Sequence, residues 1–154
     1  GFRYILSGMN AERILIASEC IGDGRFFLDK ATAYAKERTV FGRAIGSNQG
    51  VQFPIARAHV QVTAAAEVVA KAARMYDQGI SCGTEANMAK MLASEASWYS
   101  ADMCIQTHGG FGFAEEYDVE RKFRETRLYQ VAPISTNLIL SHVATHTLGL
   151  PKSF

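Results

Sequence analysis

The stretch Asn10-Ala11-Glu12-Arg13-Ile14-Leu15-Ile16-Ala17-Ser18-Glu19-Cys20-Ile21 decides how the chain is read. Asn10 suits a helix N-cap, and after it Ile14, Ile16, Ala17, Cys20, Ile21, Phe27, Leu28, Ala31 and Tyr34 recur largely at helical spacing. The pattern predicts one long helix ending near Lys36. Working outward from it, Arg38 to Gly50 contains Gly42, Gly46 and Gly50 with Ser47 and Asn48, and reads as a loop.

A second helix follows, with Pro54 expected in its first turn. It runs through Ile55, Ala56, His59, Val62, Ala66, Val69 and Ala73 to about Gln78, with Gly79 as the C-cap. A third spans Thr84 to about Thr107 and stops at Gly109, Gly110 and Gly112. A shorter helix is read over Asp118 to Thr126, and a last one over Ser135 to Leu148, closed by Gly149 and Pro151. No segment alternates as a strand would. The expected fold is all-α, an antiparallel up-and-down bundle of about four main helices plus a short one, in a single domain over residues 1–154.

Composition narrows the function classes. The chain has 154 residues, 48% hydrophobic and 20% charged, as in an ordinary globular domain. A net charge of +1 argues against a dedicated nucleic-acid binder. No apolar run is long enough to cross a bilayer. The three cysteines lack metal-ligand spacing and read as reduced, intracellular thiols. The start at Gly1 shows neither an initiator methionine nor a signal-peptide layout, so a longer parent chain is expected.

Two loops could carry chemistry. Arg38-Thr39-Val40-Phe41-Gly42 sets a guanidinium and an aromatic ring at a helix end, suited to gripping a phosphate and covering a flat heterocycle. The same residues would equally serve as a helix end facing its own dipole. Gln106-Thr107-His108-Gly109-Gly110-Phe111-Gly112-Phe113 offers bare backbone that a ligand can approach closely, although glycine also ends helices routinely. His142 and His146 stand four residues apart, but no carboxylate or cysteine completes a metal site, and none is expected.

Taken together, Met9-Asn10-Ala11-Glu12-Arg13, Tyr34 to Gly42, Asn48-Gln49, Gln106 to Phe113 and Glu120-Arg121-Lys122-Phe123-Arg124-Glu125-Thr126-Arg127-Leu128-Tyr129-Gln130 resemble, in order and spacing, the acyl-CoA dehydrogenases. The resemblance covers nearly the whole chain. It implies a C-terminal helical domain that packs against an N-terminal helical domain and a middle sheet domain, with FAD held between domains and across a subunit interface. It also implies oxidation of acyl-CoA to trans-2-enoyl-CoA, electron-transfer flavoprotein as acceptor, and a homo-oligomer. The compartment would be bacterial cytoplasm or the mitochondrial matrix.

Carried over by position, Arg38 and Phe41 resemble FAD contacts made by the partner subunit, with Gln49 nearby. Gln106, Gly109 and Gly110 resemble the segment that meets the pyrophosphate and adenosine side of FAD. Arg13 resembles the arginine near the acyl-CoA site, and Ser135 keeps a hydroxyl near the position of a flavin-contacting threonine. Many members carry a catalytic glutamate in the loop before the last helix, where this chain has Pro133 or Ile134. A minority take the base from the start of the first long helix, and Glu12 falls on that position. Glu12 is therefore the expected base; the alternatives are a residue that favours a helix N-terminus, or no base at all. A family member with a different flavin reaction, such as nitroalkane oxidation or hydroxylation, or with no activity, and a non-enzymatic helical oligomerisation module are the rival functions.

Overall fold

A computed structural model describes residues 1–153, with the side chains of residues 2, 3, 6 and 7 left out of the description. Its elements are α1 (Phe2–Glu37), a hairpin of β1 (Thr39–Val40) and β2 (Arg43–Ala44), α2 (Gln49–Asp77), α3 (Gly83–His108), α4 (Val119–Leu128) and α5 (Thr136–His142). Helical turns of 3-10 type at Ile45–Ser47, Gly109–Phe113 and Glu115–Tyr117 join them, and a π-helical turn, Val143–Thr147, prolongs α5. The architecture is the expected all-α bundle: α1, α2, α3 and the extended α5 are its main helices, and α4 is the short one.

The core is built on small residues. α1 buries Ile14, Ala17, Cys20, Ile21, Phe27, Leu28, Ala31 and Ala35, while α3 buries Ala86, Ala89, Ala93, Ser94, Ala96, Ser97, Ser100, Ala101 and Cys104. A face of alanine, serine and cysteine lets neighbouring backbones come close, and α3 is the central helix, packed on α1, α2, α4 and α5. Gly24 does the same for α1 against α2, since a Cβ there would stand 2.7 Å from Val62 Cγ2. The buried hydroxyls are satisfied within and between helices: Ser100 Oγ donates to the Ala96 carbonyl at 2.8 Å, and Ser97 pairs with Thr126 of α4. Lys122 of α4 reaches the buried carboxylate of Asp23 in α1 at 2.7 Å.

Several expectations change. Asn10 is no cap, because α1 begins eight residues earlier, at Phe2. A lone Gly8 costs a helix only about 1 kcal/mol, too little to stop it. The Asn10 carboxamide instead accepts from Arg13 Nη1 at 3.0 Å. The loop after α1 contains a two-residue hairpin in register Thr39↔Ala44 and Val40↔Arg43. Phe41 (φ 51°) and Gly42 (φ 77°) both take the left-handed region at its tip, the geometry that matches the twist of a tight hairpin. Pro54 sits in the second turn of α2 rather than the first. Two residues per strand are too few to show an alternation in the sequence.

The three cysteines are free and buried, as expected of reduced thiols, and burial pushes Cys20 and Cys104 up to about 12. No helix among the described residues is long and apolar enough to cross a membrane.

Candidate functional site

Two of the concavities of the bundle lie toward opposite ends of α1. At its C-terminal end, Arg38 closes the helix as its C-cap and the hairpin folds back beside the glycine-rich end of α3. There Arg38, Gln106, Gly109 and Gly110 line one groove of about 480 Å³, with Tyr34 and His108 in its wall. Two segments far apart in the sequence, with α2 and most of α3 between them, therefore meet. Gly109 has φ 59°, so the backbone turns sharply where the groove opens.

The groove is aromatic below and cationic at its rim. Tyr34 stacks on His108 with centroids 4.3 Å apart, and Tyr117 packs edge-on against both at 5.8 and 5.6 Å. The Arg38 guanidinium lies 5.7 Å from the centroid of Phe111, a cation–π distance that holds it over the groove. His108 Nδ1 lies 2.8 Å from the Cys104 carbonyl. Burial pulls the His108 pKa down, against the Cys104 carbonyl, which favours the cation; Lys30 pulls it down further. An aromatic floor, exposed glycine backbone and the Arg38 guanidinium suit a flat heterocycle joined to phosphate, so these residues fit the nucleotide part of a flavin cofactor.

The remaining expected contacts are placed differently. Phe41 projects fully into solvent at the hairpin tip, and Gln49 is exposed at the first turn of α2; neither lines the groove. Tyr34, His108, Phe111 and Tyr117 were not singled out from the sequence. Tyr34 could have been, since it stands one helical turn before Arg38. Tyr117 could not, because only the fold carries it back from the following turn.

At the other end, Arg13 is buried in a cavity of about 980 Å³ also lined by Asn10, Asn87, His142 and His146. Burial lowers the Arg13 pKa and the adjacent Glu12 partly restores it. Among the described residues, Arg13 Nε and Asn87 Oδ1 are buried without hydrogen-bond partners. His142 and His146 stack at 4.6 Å, and burial depresses the His142 pKa first, then the charges of His146 and Arg13. Among the described residues no group of three or more His, Cys, Asp or Glu could hold a metal.

Glu12 is exposed on α1. Since α1 starts at Phe2, Glu12 lies in its third turn, so the reading of Glu12 as a helix N-terminal carboxylate is overturned. Ser135 caps α5, its hydroxyl accepting from the Leu138 N–H at 3.5 Å. The loop before it holds a cis Ala132–Pro133 peptide and is tied to α3 by Lys90.

A profile of the acyl-CoA dehydrogenase C-terminal domain matches residues 1–147. An acyl-CoA dehydrogenase of Mycobacterium tuberculosis is 41% identical over 152 residues, which are 97% of this chain and 39% of that protein. Among solved structures, a glutaryl-coenzyme A dehydrogenase in complex with glutaryl-CoA superposes with a TM-score of 0.94 at 32% identity, covering 99% of this chain and 39% of that one. Butyryl-CoA dehydrogenase from Megasphaera elsdenii gives 0.93 at 28% identity, over 96% and 39%. The chain thus spans about two fifths of the length of the relatives it matches. A match over nearly the whole chain, on a bundle with the same course, means that this chain belongs to the acyl-CoA dehydrogenase family, as its C-terminal helical domain.

Proposed function

We propose that the protein carrying this chain is an FAD-dependent acyl-CoA dehydrogenase that converts acyl-CoA thioesters to trans-2-enoyl-CoA. The observation that carries the reading is the convergence of Arg38 with Gln106, Gly109 and Gly110 on one groove with an aromatic floor. An isolated helical interaction module has no need of that meeting. In this reading Arg38 pairs with phosphate oxygens and the Gly109–Gly110 backbone lies against the ligand.

Glu12 removes the α proton and Arg13 shapes the acyl end. FAD, when bound, supplies the two-electron acceptor that departure of the β hydrogen as hydride requires, and electron-transfer flavoprotein is the onward acceptor. Pro133 has no N–H, so the loop nitrogen at that position cannot steady the thioester oxygen and the donors lie elsewhere.

From Glu12 to the end of α1 is roughly 40 Å at about 1.5 Å per residue. One flavin cannot lie against both ends of the same helix. The groove and Glu12 of one chain therefore serve different cofactors, and a complete site needs two copies of the chain, as in a homo-oligomer.

The test is anaerobic addition of acyl-CoA to the full-length flavoprotein, followed at the flavin absorbance. Bleaching dependent on the thioester is expected. A protein that retains FAD and is not bleached by any acyl-CoA belongs to another flavin reaction, and one that retains no flavin overturns the cofactor assignment.

A further inference from the structure

We infer that His108 is a specificity-determining residue of the groove: its Nε2 accepts a hydrogen bond from the nucleoside of the bound ligand, from a ribose hydroxyl or the adenine amine. The inference rests on the reading of the groove as a nucleotide site.

The tautomer follows from geometry. Nδ1 is 2.8 Å from the Cys104 carbonyl, which can only accept, so Nδ1 carries the proton. Burial disfavours the imidazolium, and Lys30 adds to that. A neutral ring protonated at Nδ1 has a bare lone pair at Nε2. That ring cannot turn away, because Tyr34 stacks on one face at 4.3 Å and Tyr117 closes on it at 5.6 Å. The groove thus has a fixed acceptor in its wall and a guanidinium at its rim. Arg38 has no use for a donor group and His108 has no use for a phosphate. A ligand satisfying both carries an anion and a hydrogen-bond donor a short way apart on a flat frame, which describes a nucleotide.

The test uses full-length apoprotein titrated with FAD and with ADP, comparing wild type, H108N, H108Q and R38A. Asparagine keeps a donor for the Cys104 carbonyl and removes the distal acceptor; glutamine carries an acceptor out to the Nε2 position. H108N should weaken both ligands about fivefold to tenfold, the worth of one neutral hydrogen bond, while H108Q recovers most of the loss. Inosine diphosphate identifies the source: weaker binding than ADP to wild type points to the amine, equal binding to the ribose hydroxyl. Wild-type affinity in H108N overturns the inference, and so does an equal loss in H108Q, which would mark a purely structural ring. The underlying reading fails separately, if R38A retains FAD and ADP as well as wild type.

Discussion

Lys90 and Ile134 are joined by a 2.7 Å hydrogen bond from a fully buried ammonium of α3 to the carbonyl of the loop before α5. Burial lowers the Lys90 pKa, and the neighbouring Cys20 opposes this. Replacing Lys90 with Met removes a costly buried charge but leaves the Ile134 carbonyl without its donor. A hydrogen bond to a charged group is worth about 1.5 to 3 kcal/mol, and relief of desolvation is of similar size. Global stability of Lys90→Met should therefore move by less than about 2 kcal/mol, while amide exchange over residues 131–138 accelerates. Unchanged exchange there would show that the bond does not hold the loop.

The same lysine gives an alkaline signature. Its folded pKa lies below the ordinary 10.5, so the unfolded chain binds more protons between the two values. Stability should rise as pH climbs through that window, and the rise should vanish in Lys90→Met. Urea midpoints measured on both proteins at increasing pH check the sign.

Acid acts through two histidines. His108 and His142 are both depressed below 6.5 by burial, so on acidification the unfolded chain is protonated first. Stability should begin to fall as pH drops through 6.5 and go on falling until the folded pKa values are reached. Glu125, lowered chiefly by its hydrogen bond to Lys122, adds a separate loss only below its ordinary 4.5. A flat urea midpoint between pH 7 and 5 would count against the burial of both rings.

Gly46 approaches α1 so closely that an added Cβ would stand 2.8 Å from the Ala35 carbonyl oxygen. Backbone cannot swing aside as a side chain can. Gly46→Ala should destabilise the protein by about 1 to 3 kcal/mol, the usual range for overpacking, and push the segment before α2 away from the helix. A urea midpoint equal to that of wild type would mean the contact is looser than drawn.

Glu12→Gln keeps the size of the side chain and removes the base. In the full-length enzyme with FAD bound, acyl-CoA-driven flavin reduction should be abolished while FAD content and binding of a substrate analogue stay near wild type. Reduction at a near-native rate would move the base elsewhere and leave Glu12 an ordinary exposed residue of α1.

Much of this was legible in the sequence because the helices are long and their apolar positions periodic; α1, α2 and α3 end within a residue or two of where glycine and polar residues place them. What was misread has physical causes. Asn10 has the chemistry of a cap, yet a residue's capping preference cannot show that helix already precedes it. Phe41 is a separate case: expected to meet a cofactor across a subunit interface, it stands fully exposed at a hairpin tip, outside the groove of its own chain. His108 was passed over as part of a glycine-rich helix end, because its value lies in the carbonyl and the two tyrosine rings around it.

The continuity of α1 bears on genetics as well as on chemistry. In an oligomer whose sites each combine one chain's groove with another's Glu12, lesions at the two ends of the helix would not strike the same catalytic centre in the same way. Subunits bearing Arg38→Ala, co-assembled with subunits bearing Glu12→Gln, would form some centres with both defects and some with neither. Two inactive alleles would then complement each other in the mixed assembly, whereas two lesions at the same end would not.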